Sequence, residues 1–215
     1  MDCKPKTQDV QPPELFRKSK STDITLLVEG QELHFGKYPL MEGSDVFTRM
    51  IENSTDQSRL LVHDVAYKDM VIFLECLHPK KFQSITDTNL ERVAKVAQQF
   101  QHEGILARCN DYIIQQFMEP RATLDGMYTK FFFHLRIAEN YGLVRALGVG
   151  LSSTQLQKAY FSSSKKLIQV GDSKQYVIGY EKDKDFCNLS AETKNQILIN
   201  RLKAAESKIP FDKPY

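Results

Sequence analysis

The spacing of apolar residues changes character twice along the chain. Up to residue 22, Pro5, Pro12 and Pro13 stand among Lys, Gln and Asp, a composition that buries little surface, with Leu15 and Phe16 as candidates for local docking. From Asp23 the pattern turns to period two: Ile24, Leu26 and Val28 alternate with Thr25, Leu27 and Glu29, which predicts a strand. A turn is expected at Gly30-Gln31. Glu32-Leu33-His34-Phe35 alternates again, so the pair reads as a hairpin with Leu33 and Phe35 facing a core.

After Pro39 the spacing lengthens to three and four. Leu40, Val46, Phe47 and Met50 predict one helix or two short ones, with Ser44 placed as a cap. Leu60-Leu61-Val62 with Val65 predicts a third strand, and Met70, Phe73, Leu74 and Leu77 a helix from Tyr67 that Pro79 ends. Thr86-Asp87-Thr88 is a candidate cap for a helix striped by Leu90, Val93, Ala97 and Phe100. Gly104 is expected to break that run before a helix presenting Leu106, Cys109, Ile113 and Phe117, which Pro120 closes.

Beyond Pro120 strand signals are scarce. Met127, Phe131, Leu135 and Ala138 form a further stripe, Tyr141-Gly142-Leu143 reads as a helix stop, and Leu151 to Val170 is a Ser-rich helical candidate. Ser190-Ala191-Glu192-Thr193 can start a last helix through Ile197, Leu198 and Leu202. Strands at the front with helices behind predict an α+β fold, a small sheet flanked by helices followed by a mostly α-helical segment. The expected divisions are a tail over 1–22, a domain over 23–118 and a helical extension over 119–215.

Composition narrows the function. The 215 residues are 41% apolar and 26% charged, an ordinary globular balance. Lys plus Arg number 29 against 27 Asp plus Glu, so no large field favours nucleic acid or an anionic membrane as partner. No apolar run has the length of a membrane span, and the amino terminus lacks a secretory core, so the four cysteines are expected to be reduced and the location cytoplasmic. The short run Arg17-Lys18-Ser19-Lys20 leaves a nuclear location open as well.

Candidate chemistry is sparse. Cys3, Cys76, Cys109 and Cys187 form no CxxC pair, and His34, His63, His78, His102 and His134 have no metal-ligand spacing, so these histidines are expected at the surface or at caps. Gly142 and Gly148-Val149-Gly150 lack the strand-to-helix context of a phosphate loop and read as helix punctuation. The triple aromatic Phe131-Phe132-Phe133 reads first as core packing. No catalytic residue, cofactor or metal is expected, and the chain reads as a non-enzyme.

The run from Asp23 through Glu29-Gly30-Gln31 to Leu33, with Lys37, Leu40 and Ser44-x-x-Phe47, resembles the opening of a BTB/POZ domain. The likeness continues through Leu60 to Val65, the helix from Tyr67 and the paired helices ending near Met118. One departure is Gly36, where family members usually place His. The resemblance implies a two-fold homodimer, with Asp23, Lys37, Leu40, Val46, Phe47 and Met50 at the interface and a strand exchanged from the amino-terminal region. Asp23 and Lys37 match the positions of a charged pocket in the family; a buried ion pair closing the hairpin is the equal alternative. The resemblance also implies an adaptor that joins a target protein to a cullin-type ubiquitin ligase. Tyr67 and Asp69 match the apolar-x-acidic pattern of cullin-binding relatives, or else simply start and cap a helix. The alternative function is a structural oligomerisation or scaffolding protein.

Overall fold

The computed structural model describes residues 12–118, 124–152, 166–170, 173–177 and 183–206. The chain divides into two compact units, Met1–Ala107 and Arg108–Tyr215.

In the first unit the hairpin forms as β1 (Ile24–Val28) and β2 (Gln31–Phe35), antiparallel, with Ile24 opposite Phe35 and Leu26 opposite Leu33. The turn lies one residue earlier than the sequence suggested. Glu29 and Gly30 both take positive φ, 49° and 77°, which matches the right-handed twist of the strands and lets Gln31 begin β2. Helices α1 (Lys37–Glu42) and α2 (Asp45–Glu52) then carry the chain across to β3 (Arg59–Val62), which pairs parallel to β1. The sheet order is therefore β2-β1-β3. A parallel pair cannot be closed by a tight turn, and these helices supply the crossover.

Period-two burial holds in the sheet: Ile24, Leu26 and Val28 are buried while Thr25 and Leu27 are half-buried. Behind it stand α3 (Tyr67–Leu77) and α4 (Leu90–Gln99). Phe47 of α2 is fully enclosed, its ring stacked 4.3 Å from Phe100 and 6.3 Å from Phe73. Ser44 caps α2 as expected: its hydroxyl oxygen accepts from the Phe47 N–H at 3.1 Å and donates in turn to the Phe100 carbonyl. Phe16 also docks as expected, fully buried beside Phe35 and His78.

Two boundaries were misplaced. The residue flanking α4 is Asn89, whose Oδ1 accepts from the Thr86 N–H at 2.8 Å, so the threonines do not cap the helix directly. The chain breaks at Gln101-His102, with φ +49° at Gln101, and Gly104 sits in the first turn of α5 (Glu103–Met118). The buried stripe of α5 is Ile105, Cys109, Ile113 and Phe117, because the helix starts earlier and turns Leu106 half outward.

The second unit holds α6 (Leu124–Asn140), α7 (Val144–Ser152), a two-stranded antiparallel sheet of β4 (Lys166–Val170) and β5 (Ser173–Val177), then α8 (Lys184–Cys187) and α9 (Ala191–Glu206). The last part of the Ser-rich helical candidate is thus a strand, since Leu167, Ile168 and Val170 favour extended backbone more than helix. Phe131, Phe132, Leu135 and Ala138 are core, while Met127 lies outside the residues whose side chains are described. Gly142 ends α6 with φ +63°. Gly148 and Gly150 do not punctuate. They lie within α7, and a Cβ on Gly150 would meet Phe117 Cε2 at 2.7 Å and Leu135 Cδ1 at 2.8 Å, so glycine is needed for close packing. His134, expected at the surface, is buried edge-on to Tyr112 and Phe117.

Candidate functional site

Helix α3 begins at Ala66, which has no side chain to cap its free N–H groups. Glu29 supplies the cap from the hairpin turn: its Oε2 accepts from the Tyr67 N–H at 3.0 Å. The left-handed turn at Glu29 thereby fixes the head of α3 against the sheet. Asp69 lies one turn in, 3.6 Å from the Arg92 guanidinium of α4. Around this helix head lies a cleft of about 580 Å³, lined by Pro13, Glu29, Gln31, Ala66, Tyr67, Lys68, Val71, Ile72 and Arg92.

Tyr67 is 8% exposed, so its ring forms part of the cleft wall and does not project as a free anchor. Burial raises the pKa of its phenol above the usual value, which keeps the hydroxyl protonated. Asp69 keeps part of its carboxylate accessible beside Arg92. The apolar surface available at this place comes from Val71 and Ile72, both half-buried.

A second pocket, about 290 Å³, lies at the start of α1 and is lined by Asp23, His34, Lys37 and His78 among others. Here Asp23 and Lys37 do meet, but not as a shielded ion pair. Asp23 is exposed, and its Oδ1 accepts from the Lys37 main-chain N–H at 2.7 Å. The reason is local: Gly36 precedes α1 and has no capping side chain, so a carboxylate from the strand entrance takes that role. His78, packed on Phe16 and Phe35, has its pKa lowered by burial and by nearby Lys80.

Of the residues expected at a dimer surface, Leu40 and Phe47 are fully buried inside the unit itself and cannot face a second copy. The Phe47 ring is taken up by its stacking with Phe73 and Phe100 inside the core. Val46 and Met50 are half-buried, and Tyr38 of α1 is 71% exposed with its hydroxyl donating to Glu42 at 2.8 Å. Sequence reasoning missed Gln31, Val71, Ile72 and Arg92, because their grouping depends on how the hairpin turn packs on α3 and α4. Tyr38 could have been found as a large ring beside a polar run.

Among the described residues, no group of three or more His, Cys, Asp or Glu is arranged to hold a metal ion. No helix among them is long and apolar enough to cross a membrane. Cys76 and Cys109 are buried and Cys187 is exposed, while Cys3 lies outside the described residues.

The first unit thus carries a small sheet backed by helices, an apolar cleft at the head of α3 and a second pocket at the start of α1. The BTB/POZ domain model matches residues 13–117, so this stretch is a BTB/POZ domain, a protein-interaction module, and a mostly helical segment follows it. It is also 25% identical over 141 residues to BTB and MATH domain-containing protein 36 of Caenorhabditis elegans, covering 64% of this chain and 41% of that protein. The chain therefore spans about two fifths of that relative's length.

Proposed function

We propose that the protein is a homodimeric adaptor linking a target protein to a cullin-type ubiquitin ligase, with residues 23–118 as the interaction domain and 119–215 as the extension that meets the target. The observation that carries this reading is the head of α3. Tyr67-Lys68-Asp69 keeps the apolar-x-acidic order of cullin-binding relatives, and the exposed Lys68, the partly open Asp69 and the half-buried Val71 and Ile72 stand together on the surface. Apolar area would give affinity there, and the two charges orientation.

The target would be met by α9, where Leu198, Ile199 and Leu202 are 45%, 46% and 59% exposed while Ile197 is buried. Exposed aliphatic side chains this close together on one helix are unusual for a surface with no partner.

Titration calorimetry of the whole protein against an isolated cullin amino-terminal domain tests the proposal, with Asp69→Lys and Ile72→Arg as variants. Binding in the micromolar range, weakened by both, is expected. No heat at tens of micromolar, or variants that bind like the wild type, would leave the scaffolding reading in its place.

A further inference from the structure

Two buried polar atoms among the described residues have no hydrogen-bond partner, the Tyr67 hydroxyl and Oε1 of Gln31, and both residues line the cleft at the head of α3. Leaving such an atom unsatisfied costs about 1–3 kcal/mol, and native proteins keep few of them. That both belong to residues lining one cleft calls for a cause. Tyr67 is 92% buried by the complement of its 8% exposure, so the hydroxyl is not simply a surface group awaiting bulk water.

The two atoms ask for different things. A glutamine carbonyl oxygen accepts only, whereas the phenol, kept protonated by its burial, can donate. One chemical group answers both, the peptide amide, whose N–H and C=O point in opposite directions along an extended chain. The same cleft is walled by Pro13, Val71 and Ile72, and its volume of about 580 Å³ falls within the range of ligand pockets. Lys68 stands exposed at its edge, while the carboxylate of Glu29 is turned inward to the Tyr67 N–H.

We propose that this cleft binds an extended peptide segment of a protein partner, its main-chain amide hydrogen bonded to Gln31 and Tyr67. An apolar side chain of the segment lies against Val71 and Ile72, and an acidic one reaches toward Lys68. The inference rests on the reading of the domain as a holder of proteins but does not require the partner to be a cullin.

A random-peptide display library selected on the whole protein supplies the probe. Selected peptides should share an apolar residue near an acidic one. Their affinity, read by fluorescence anisotropy, should fall about tenfold for Tyr67→Phe and for Gln31→Leu, the worth of one net hydrogen bond, and vanish for Ile72→Arg. Thermal melts separate binding from folding. Both polar-to-apolar variants remove an orphaned atom, so their Tm should stay level or rise. No enriched peptide, or peptides indifferent to all three variants, overturns the proposal; so does a lower Tm with unchanged affinity for Tyr67→Phe and Gln31→Leu. Calorimetry with the cullin domain on the same preparation tells the two failures apart: peptide binding without cullin heat removes the ligase reading alone, and cullin heat without peptide binding removes this one alone.

Discussion

The imidazole of His102 lies so close over Gly43 that a Cβ added to the glycine would stand 2.1 Å from ring atom Cε1. The ring has no easy retreat. Its Nε2 is bonded to the Pro39 carbonyl at 3.1 Å, its Nδ1 accepts from the Ile105 N–H at 3.3 Å, and Phe73 meets it edge-on. Histidine here ties the end of α1 to the start of α5. Gly43→Ala should therefore destabilise the protein by about 2–3 kcal/mol, the upper part of the range for overpacking a fixed site. Urea unfolding followed by circular dichroism measures it, and a loss under about 0.5 kcal/mol would show that the ring moves aside freely.

His102 also gives the fold an acid dependence. Burial lowers its pKa below the ordinary value of 6.5, only partly opposed by the bond to Pro39 and the charge of Glu42. The unfolded chain then takes up this proton more readily than the folded one, so stability is full above about pH 6.5 and declines as pH falls below it. His78 is shifted the same way and adds to the slope. Melts between pH 7.5 and about 5 should show a falling Tm, and a proton NMR titration should place the His102 midpoint below the ordinary histidine value of 6.5.

Asp23 acts through its carboxylate oxygen on a main-chain N–H and not through the charge of Lys37. Asparagine can accept in the same place and serves as well at a cap, so Asp23→Asn should hardly move the Tm, while Asp23→Ala should cost about 1 kcal/mol. Lys37→Gln should change stability by less than about 0.5 kcal/mol. A large loss for Lys37→Gln would restore the ion pair.

Legibility in the sequence followed the range of the forces involved. The hairpin and α3 could be read because alternation, a Pro79 stop and 3.6-residue spacing are local signals, and α3 runs from Tyr67 to Leu77 as expected. The proximity of Asp23 to Lys37 was legible too, but not its mode, since opposite charges suggest an ion pair while the missing cap at Gly36 decides the contact. The strands at Lys166–Val170 and Ser173–Val177 were missed because a Ser-rich stretch precedes them and their apolar residues run together without alternating. The cleft was beyond reach of pattern, as Gln31 and Tyr67 become neighbours through the packing of a turn on a helix head.

Homodimerisation, if mediated by the α1–α2 face, must use side chains that the core leaves free. Phe47 is not one of them, so Phe47→Ala should cost about 3–5 kcal/mol of stability by opening a cavity between Phe73 and Phe100. Met50→Lys should leave the fold intact. Light scattering coupled to size exclusion is expected to give about twice the 24.8 kDa of one chain for the wild type and a mass near one chain for Met50→Lys. A wild-type monomer across dilution would remove the dimer from the proposed function.

In the second unit the entry to α9 depends on one carboxylate. Glu139 of α6 accepts from the Ser190 N–H at 2.9 Å and from the hydroxyls of Ser190 and Thr193, each at 2.5 Å, while Ser190 Oγ itself accepts from the Thr193 N–H at 3.1 Å. Burial works against the charged form, but these donors and nearby Lys194 outweigh it and hold the carboxyl below its ordinary value of 4.5. The stabilisation is thus present above about pH 4.5 and is lost as pH falls through the folded value. Glu139→Ala should cost about 1.5 kcal/mol, the low end for hydrogen bonds to a charged group, because the site is half-buried. It should also release the first turns of α9, which amide hydrogen exchange would register as lost protection from Thr193 to Ile197. Protection unchanged in the variant would mean that α9 is held by Ile197 and its apolar neighbours alone.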